Sequence, residues 1–307
     1  MRSIFVKNLD NLDCAYFDPE LGIIGASWQL DVKVSGVLDE NHFVIDFAIL
    51  KKTIKDILKT TLDHALLVPQ FAQNISLERE SDTIRFTGKT RASTSEISLE
   101  KIWSYQGPAT GIYPIDCAII NKEIILKELK DLILSRLSAY PHIDLVLFLH
   151  EENPSNPEQL FFSYTHGLPG HQGLCQRVFH GHRSSLEVYL DNERSPNSEN
   201  YLIDSILGNS IHIASPQQCL LKDLPLGRRL SEVSQVELRY TGSYGEYYAN
   251  IPGESLILVQ DETSIECISK FLWQIIAKKN PGKTVKVVAY EGINKGSEFE
   301  GYSPLAT

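Results

Sequence analysis

The sequence lacks the features of a membrane protein or a nucleic-acid-binding protein. No apolar run approaches the ~20 residues that a bilayer-spanning helix needs, and the opening residues, MRSIFVKNLDNLDCAYF, contain no long apolar segment of a signal peptide. Acidic residues outnumber basic ones by 39 to 29, which gives a formal net charge of −10. This balance argues against a surface for nucleic acid or anionic membranes. We therefore expect neither as a partner.

Cysteine is scarce and scattered. The chain has five cysteines, an odd number with no close-set pairs, and this pattern excludes the disulfide framework of a small secreted domain. Reduced thiols and a cytoplasmic location fit best. The 307 residues are 42% hydrophobic, which suits a globular protein long enough for two ordinary domains.

An internal repeat is present in the chain. Residues Ile24–Val34 align with His180–Leu190, and both stretches alternate apolar and polar residues as a half-buried strand does. Each half then ends with a helical segment that leads into an apolar strand, and in this alignment Glu151 overlies Glu291. We predict two duplicated modules, residues 1–155 and 156–307, with the boundary in the polar, proline-containing stretch 150–159.

A second match supports the repeat, and it leads to the chief difference between the halves. Val44–Phe47 resembles Leu202–Ser205. In the first half, residues 47–62 show the three- and four-residue spacing of an amphipathic helix, which delivers Asp63 and His64 near its end. The second half has no comparable long helix and reaches a lone His212 with no aspartate before it.

Four of the nine histidines fall between residues 166 and 182. His180 and His182, two residues apart, would point to one face of a strand, and His166 would join them from the preceding strand. Three nitrogen ligands with an open fourth position are typical of a catalytic zinc site. The alternative is a set of exposed histidines on a polar loop. In the first half Ile24 and Ala26 occupy the aligned positions.

Three further residues carry candidate chemistry. Cys175 lies among the histidines and suits a nucleophile or a base, because a nearby cation favours the thiolate. The carboxylate of Asp63 could orient His64 for acid–base work, although a histidine at a helix end also simply complements the helix dipole. Glu291 ends an apolar strand, where it could accept two hydrogen bonds from an amidine-like edge or be merely solvated.

These segments resemble the 6-pyruvoyltetrahydropterin synthase and 6-carboxytetrahydropterin synthase family. The resemblance lies in FSYTHGLPGHQGLCQRVFHGHRSSLEV, HFVIDFAILKKTIKDILKTTLDHALL, ETSIECISKFLWQI and VVAYEGINKGSEFEG, and it covers both halves except two insertions around Phe71–Ile119 and Leu220–Leu258. It implies an α+β fold of two tandem tunnelling-fold modules, each an antiparallel sheet with helices on one face, that assemble into a barrel. A family member is normally one such module.

The resemblance also implies roles for individual residues. It makes His166, His180 and His182 ligands of Zn²⁺, Cys175 and the Asp63–His64 pair catalytic, and Glu291 the anchor of a pterin substrate. In the family's bacterial branch the cysteine stands four residues before the HGH motif, whereas Cys175 stands five before His180. The family takes its zinc half and its Asp-His half from different modules, so we expect one composite site between a second and a first module, with Glu151 a relic at the reciprocal interface.

The activity implied is a zinc-dependent lyase reaction on 7,8-dihydroneopterin triphosphate. The 6-carboxytetrahydropterin synthase reaction, on the queuosine (deazapurine) route, is preferred, with the 6-pyruvoyl reaction or a non-catalytic pterin- or purine-binding protein as alternatives. A homo-oligomer is expected, with a dimer preferred over a trimer because a ring of four modules would set unlike modules side by side.

Overall fold

The computed structural model describes residues 2–91, 100–153 and 159–305. The first half folds as a strand hairpin, a helix, a run of short strands, a second helix and a final strand. Its elements are β1 (Arg2–Asp18), β2 (Gly22–Gly36), α1 (Phe47–Thr60), β3 (Leu66–Pro69), β4 (Ile75–Glu80), β5 (Thr83–Arg91), β6 (Glu100–Pro108), β7 (Ile112–Ile115), α2 (Lys122–Arg136) and β8 (Asp144–His150).

The second half repeats this order with a shorter first helix and an additional last strand. Its elements are β9 (Phe162–His166), β10 (His180–Ser184), β11 (Leu186–Leu190), β12 (Glu193–Arg194), α3 (Pro196–Tyr201), which continues into a π-helical turn (Leu202–Leu207), β13 (Ser210–Ala214), β14 (Gln235–Gly242), β15 (Gly245–Pro252), β16 (Leu256–Leu258), α4 (Ile265–Lys279), β17 (Thr284–Tyr290) and β18 (Gly296–Tyr302).

The sheet topology shows the duplication directly. The first module has the strand order β7-β3-β1-β2-β8. In the second module β10 and β11 are successive parts of one strand line, interrupted at Ser185, and they join the sheets β16-β13-β9-β10 and β18-β17-β11. The hairpins and β2–β8 are antiparallel as predicted, whereas β3 runs parallel to β1 and β13 runs parallel to β9.

The strand registers test the two sequence matches separately. Tyr16 pairs with Ile24 in the first hairpin and His166 pairs with His180 in the second, so the superposition of Ile24 on His180 is confirmed. The match of Val44–Phe47 with Leu202–Ser205 is wrong. Phe47 begins α1, whereas Leu202 lies in the last turns of the second module's shorter helical segment.

The hydrophobic pattern of α1 explains why it packs where it does. Of the apolar residues at three- and four-residue steps, Leu50, Ile54, Ile57 and Leu58 are buried against the first sheet. Asp46 caps the helix by accepting a hydrogen bond from the backbone N–H of Ala48. The helix ends at Thr60, and the turn that follows carries the chain to β3 through residues 61–65.

The two insertions, which the sequence left without a structure, pair with each other. β4, β5 and β6 of the first module and β14 and β15 of the second form one sheet in the order β14-β15-β6-β5-β4. Tyr105 of β6 pairs with Ala249 of β15. Each of these strands ends in a proline, Pro108 or Pro252, that precedes a 3₁₀ turn. The insertions therefore join the modules through backbone hydrogen bonds.

A hydrophobic core lies between the modules in addition to the core inside each one. Phe17, Phe86 and Trp103 of the first module belong to the same buried cluster as Phe179 and Tyr247 of the second. Each module's own core lies between its sheet and its helices. Because apolar burial is the largest favourable contribution to folding, the shared core fixes the two modules against each other.

A pair of equivalent glycines lies at the closest approach of the modules. A Cβ on Gly181 would lie 2.7 Å from the carbonyl oxygen of Cys14 and 2.8 Å from the Cα of Gly25, and a Cβ on Gly25 would lie 2.7 Å from the backbone nitrogen of His182. Because Gly25 and Gly181 occupy equivalent positions in their hairpins, the modules are related by an approximate two-fold axis that passes through this contact and through the Tyr105–Ala249 pair.

Substitution of Gly181 by alanine is expected to destabilise the protein. The added methyl group meets backbone on the other module, which cannot turn aside, so we expect a loss of about 1–3 kcal/mol in the free energy of unfolding. Urea titration followed by circular dichroism measures it. Gly170→Ala is the matched control, since a Cβ there meets nothing within 4 Å; equal stability of the two variants would contradict the tight contact.

Two sequence expectations concern parts of the chain outside this architecture. The predicted boundary stretch, residues 150–159, lies partly outside the described residues, so the predicted limits at 155 and 156 stay predictions. All five cysteines are described and are free thiols. Among the described residues, no helix is both long enough and apolar enough to cross a membrane.

Candidate active site between the modules

The three histidines predicted as metal ligands come together on the hairpin β9–β10. His166 ends β9, His180 begins β10 directly opposite it, and His182 follows on the same face. One nitrogen of each lies within 4.8 Å of the others, and all three side chains are at most 1% exposed. The period of two along the strand places His180 and His182 together, and strand pairing adds His166.

These histidines fit a metal ion by an independent observation. Nε2 of His166 and both ring nitrogens of His180 and His182 are buried without a hydrogen-bond partner in the described residues. Unpartnered buried polar atoms are rare in folded proteins because their desolvation is costly. Burial also holds the pKa of His166 and of His180 well below 6.5, so both rings are neutral, which is the form that binds a metal.

Two of the candidate ligands are oriented through their other nitrogen. Nδ1 of His166 lies 2.7 Å from the carbonyl oxygen of Thr263 and donates to it, which leaves Nε2 for a metal. Nδ1 of His182 lies 3.4 Å from Oδ1 of Asp13, a residue of the first module. Partners of this kind fix the tautomer and the ring orientation of a metal-binding histidine.

Asp13 is a buried carboxylate at the centre of the module interface. Its Oδ1 accepts a hydrogen bond from the hydroxyl of Ser27, and its Oδ2 lies 3.0 Å from Nζ of Lys295. Burial raises the pKa of Asp13, but His182, Lys295 and Ser27 outweigh burial and hold it below its ordinary value. The first module thus supplies a negative charge behind a histidine of the second.

The Asp63–His64 pair reaches the cluster from the first module. His64 has a left-handed backbone (φ 59°), a conformation that costs energy for a residue other than glycine and is often found at functional sites. Its backbone N–H donates to the carbonyl of Asp13. Its ring stacks on His180 with a centroid distance of 4.1 Å and an interplanar angle of 14°. The predicted meeting of the two halves therefore occurs within one chain.

The electrostatics of His64 follow from its two neighbours. Nδ1 lies 2.8 Å from Oδ2 of Asp63. Burial lowers the pKa of His64, but hydrogen bonding with Asp63 and with Cys175 more than offsets this and raises it to about 9. The side chain is therefore set up to hold a proton between Asp63 and Cys175.

Cys175 lies in a loop that only the second module has. β1 and β2 are joined by Pro19–Leu21, whereas β9 and β10 are joined by residues 167–179. A 3₁₀ turn at Leu174–Gln176 brings the thiol within 4.8 Å of ring nitrogens of both His64 and His180. The loop therefore accommodates the additional residue between the cysteine and the HGH motif.

The loop is held in place by the residues that follow the cysteine. The buried side-chain amide of Gln176 donates to the carbonyl of His171 and to the hydroxyl of Ser243 in the β14–β15 turn. Nη1 of Arg177, which is 4% exposed, donates to the carbonyl of Asp63 at 3.0 Å. Arg177 thereby ties the cysteine loop of one module to the Asp-His turn of the other.

Glu291 stands next to the histidines. Its Oε1 is 3.8 Å from Nε2 of His182 and 3.9 Å from Nε2 of His166, and Oε2 is 3.9 Å from Nζ of Lys295. The side chain is 20% exposed, so the carboxylate borders both the buried cluster and solvent. It is placed to fix a ligand whose other end reaches the histidines.

Sequence reasoning missed Asp13, Ser27, Thr263 and Lys295. The one local signal is Asp13, a carboxylate within the apolar strand segment LDCAYF of β1, where a buried charge needs partners. Lys295 lies four residues after Glu291 but is brought to Asp13 only by the folding of the two modules together. The lone His212 is buried on β13, where it hydrogen-bonds with Thr165 outside the cluster.

Comparison with known proteins places the chain in a family. The sequence profile described as 6-pyruvoyl tetrahydropterin synthase matches residues 16–109 and 158–301, which is more than half of the chain. The chain therefore belongs to the 6-pyruvoyl tetrahydropterin synthase family. The predicted fold class, two tandem tunnelling-fold modules, is confirmed by this match and by the repeated topology.

Solved structures of this family are also similar to the chain. They include 6-pyruvoyl tetrahydropterin synthase from Plasmodium vivax (20% identity, TM-score 0.38), that from Plasmodium falciparum (20%, 0.36) and a catalytic-residue mutant of the P. vivax protein (21%, 0.36). Each match covers 50% of this chain and 93% of the other. A search of curated proteins finds no match.

Proposed function

We propose that the chain is a zinc-dependent pterin synthase that acts on 7,8-dihydroneopterin triphosphate at the composite site. The observation that carries this is the meeting of His64 from the first module with Cys175 and the histidine cluster of the second, in a chain that belongs to the family. A non-catalytic protein would have no need of an oriented Asp-His pair in contact with a metal-type cluster.

The metal site is proposed as zinc, held by His166, His180 and His182. Three histidines with an open position are the donor set of a catalytic zinc site, and their unpartnered nitrogens are buried together. A bound zinc ion would polarise the side-chain hydroxyls of the substrate and stabilise negative charge that develops there.

The protein's own residues would bind the substrate and move its protons. Glu291 would accept two hydrogen bonds from the N–H and NH₂ groups on one edge of the pterin. Cys175 would take a proton from the substrate side chain as a base, and His64, held by Asp63, would give up or accept a proton nearby. The raised pKa of His64 (about 9) suits the proton donor of this pair.

Of the possible products we propose the 6-carboxy compound, with loss of triphosphate and cleavage of the three-carbon side chain. The motif set that resembles the family's bacterial branch supports this choice and a place on a deazapurine route. The alternative is the 6-pyruvoyl product, which forms by elimination of triphosphate with internal redox, and the description of the matching family profile favours it.

The test is product analysis with zinc-loaded protein and 7,8-dihydroneopterin triphosphate. We expect a 6-carboxytetrahydropterin and a two-carbon fragment by mass spectrometry, and no turnover by Cys175→Ala, which should retain its zinc. Detection of the 6-pyruvoyl product would select the alternative. A zinc-loaded protein that turns over no dihydropterin would leave only a pterin- or purine-binding protein.

We also propose that the chain is a homo-oligomer in the cytoplasm. Among the described residues β8 and β18 each pair on one side only, and β8 exposes Val146 and Phe148, so these edges could pair with another copy. The dimer was preferred because it sets unlike modules side by side. One chain already does so, and dimer and trimer are therefore left to a measurement of mass in solution.

A further inference from the structure

The approximate two-fold axis creates a second inter-module surface in the same chain. At the candidate active site, His64 of the first module faces β10 of the second. At the equivalent place, Ser210 of the second module faces β2 of the first, where its hydroxyl donates to the carbonyl of Ile23 at 2.8 Å. The strand registers put Asn209 and Ser210 at the positions of Asp63 and His64.

An open cavity of about 840 Å³ lies at this second surface. We call it the twin cleft; it is lined on one side by Leu21 and Ile24 of β2 and on the other by the turn Gly208–Ser210. Ile24 takes the place of His180 and Ala26 that of His182, so the cleft has lost the metal ligands. Its volume is within the range of small-molecule sites.

The cation that flanks the anchoring glutamate is present at both surfaces. Glu151 occupies the position of Glu291 at the end of the equivalent strand, since His150 pairs with Gln29 where β17 pairs with β11. Its Oε2 is 3.6 Å from Nε of Arg183, whereas Glu291 is 3.9 Å from Nζ of Lys295. Half of the Glu151 side chain is exposed (49%), so its carboxylate is open to a ligand.

Tyr16 connects this glutamate with the cleft. It pairs with Ile24, which lines the cavity, and the pKa of its hydroxyl is raised by burial, by Asp18 and Cys14, and by the charge of Glu151. The carboxylate, Tyr16 and Ile24 therefore follow one another in the order that Glu291, His166 and His180 follow at the candidate active site. A planar ligand held at Glu151 would extend toward the cavity.

We propose that the twin cleft is a second, metal-free binding site for a planar heterocycle with adjacent N–H and NH₂ donors, the chemistry of a 2-amino-4-oxopteridine, anchored by Glu151. This rests on the proposed function, because it gives Glu151 the anchoring role of Glu291. The site binds without turnover, since Ile24, Ala26, Asn209 and Ser210 replace the metal ligands and the Asp-His pair.

The test is the number of ligands bound per chain, measured by equilibrium dialysis with the fluorescent oxidised pterin biopterin. The intact zinc-loaded protein should bind two per chain, and Glu151→Ala and Glu291→Ala should each bind one. Glu151→Gln, which keeps the shape and loses one acceptor oxygen, should weaken the same site. Glu78→Ala, on the exposed strand β4, is the control and should bind two.

The variants separate this proposal from the proposed function. Loss of one ligand in Glu151→Ala but none in Glu291→Ala would support the twin cleft and contradict the anchor role at the candidate active site. One ligand per chain that is lost only in Glu291→Ala would overturn the twin cleft, as would two ligands per chain retained in Glu151→Ala. Removal of zinc should leave the ligand at Glu151 bound.

Discussion

Replacement of His182 by alanine is expected to abolish zinc binding and to lower the turnover of 7,8-dihydroneopterin triphosphate by at least about 10³-fold. His182 supplies one of three buried ligand nitrogens and lies between Asp13 and Glu291, so the two histidines left cannot complete the donor set. A metal that polarises a substrate oxygen contributes several kcal/mol to the transition state, and ~4 kcal/mol corresponds to about 10³ in rate.

The measurement is metal content by mass spectrometry together with the initial rate. His171→Ala is the matched control, because His171 lies in the same loop but accepts a hydrogen bond from Gly173 and takes no part in the cluster. It should retain one zinc per chain. A His182→Ala protein that kept its zinc would show that the buried triad is not the metal site.

Replacement of Asp63 by asparagine is expected to lower kcat by about 10²- to 10⁴-fold while zinc content is unchanged. The carboxylate lies 2.8 Å from Nδ1 of His64 and also accepts the backbone N–H of Asp13. An amide of the same shape removes the charge that stabilises protonated His64, and general acid–base catalysis contributes a factor of this size. Asp56→Asn, on the exposed face of α1, should have no effect.

The same variant has a distinct pH signature in the zinc-free protein. The pKa of His64 is raised from 6.5 to about 9, so its protonation contributes stability that is fully present below about pH 6.5 and is lost as the pH rises through 9. Asp63→Asn should lower this pKa and flatten the loss. Unfolding free energies measured between pH 6 and pH 10 test this; an unchanged slope would contradict the pairing of Asp63 with His64.

The repeat, the histidine triad and the Asp-His pair could be predicted from the sequence because their signals are local. A period of two places His180 and His182 on one face whatever surrounds the strand, and the three- and four-residue spacing of α1 fixes which side it buries. The match of Val44–Phe47 with Leu202–Ser205 was wrong for a related reason. Four similar letters do not distinguish the start of a helix from its end.

The sequence by itself determined the two modules, the metal-type histidines and the division of chemistry between the halves. Only the tertiary structure decided that both halves of the site meet within one chain. That meeting depends on the Gly25–Gly181 contact, on the sheet shared by the two insertions and on the core around Phe17 and Tyr247. Asp13 and Lys295 could not be predicted as site residues because they are 282 positions apart, and packing between the modules, which no local pattern encodes, brings them together.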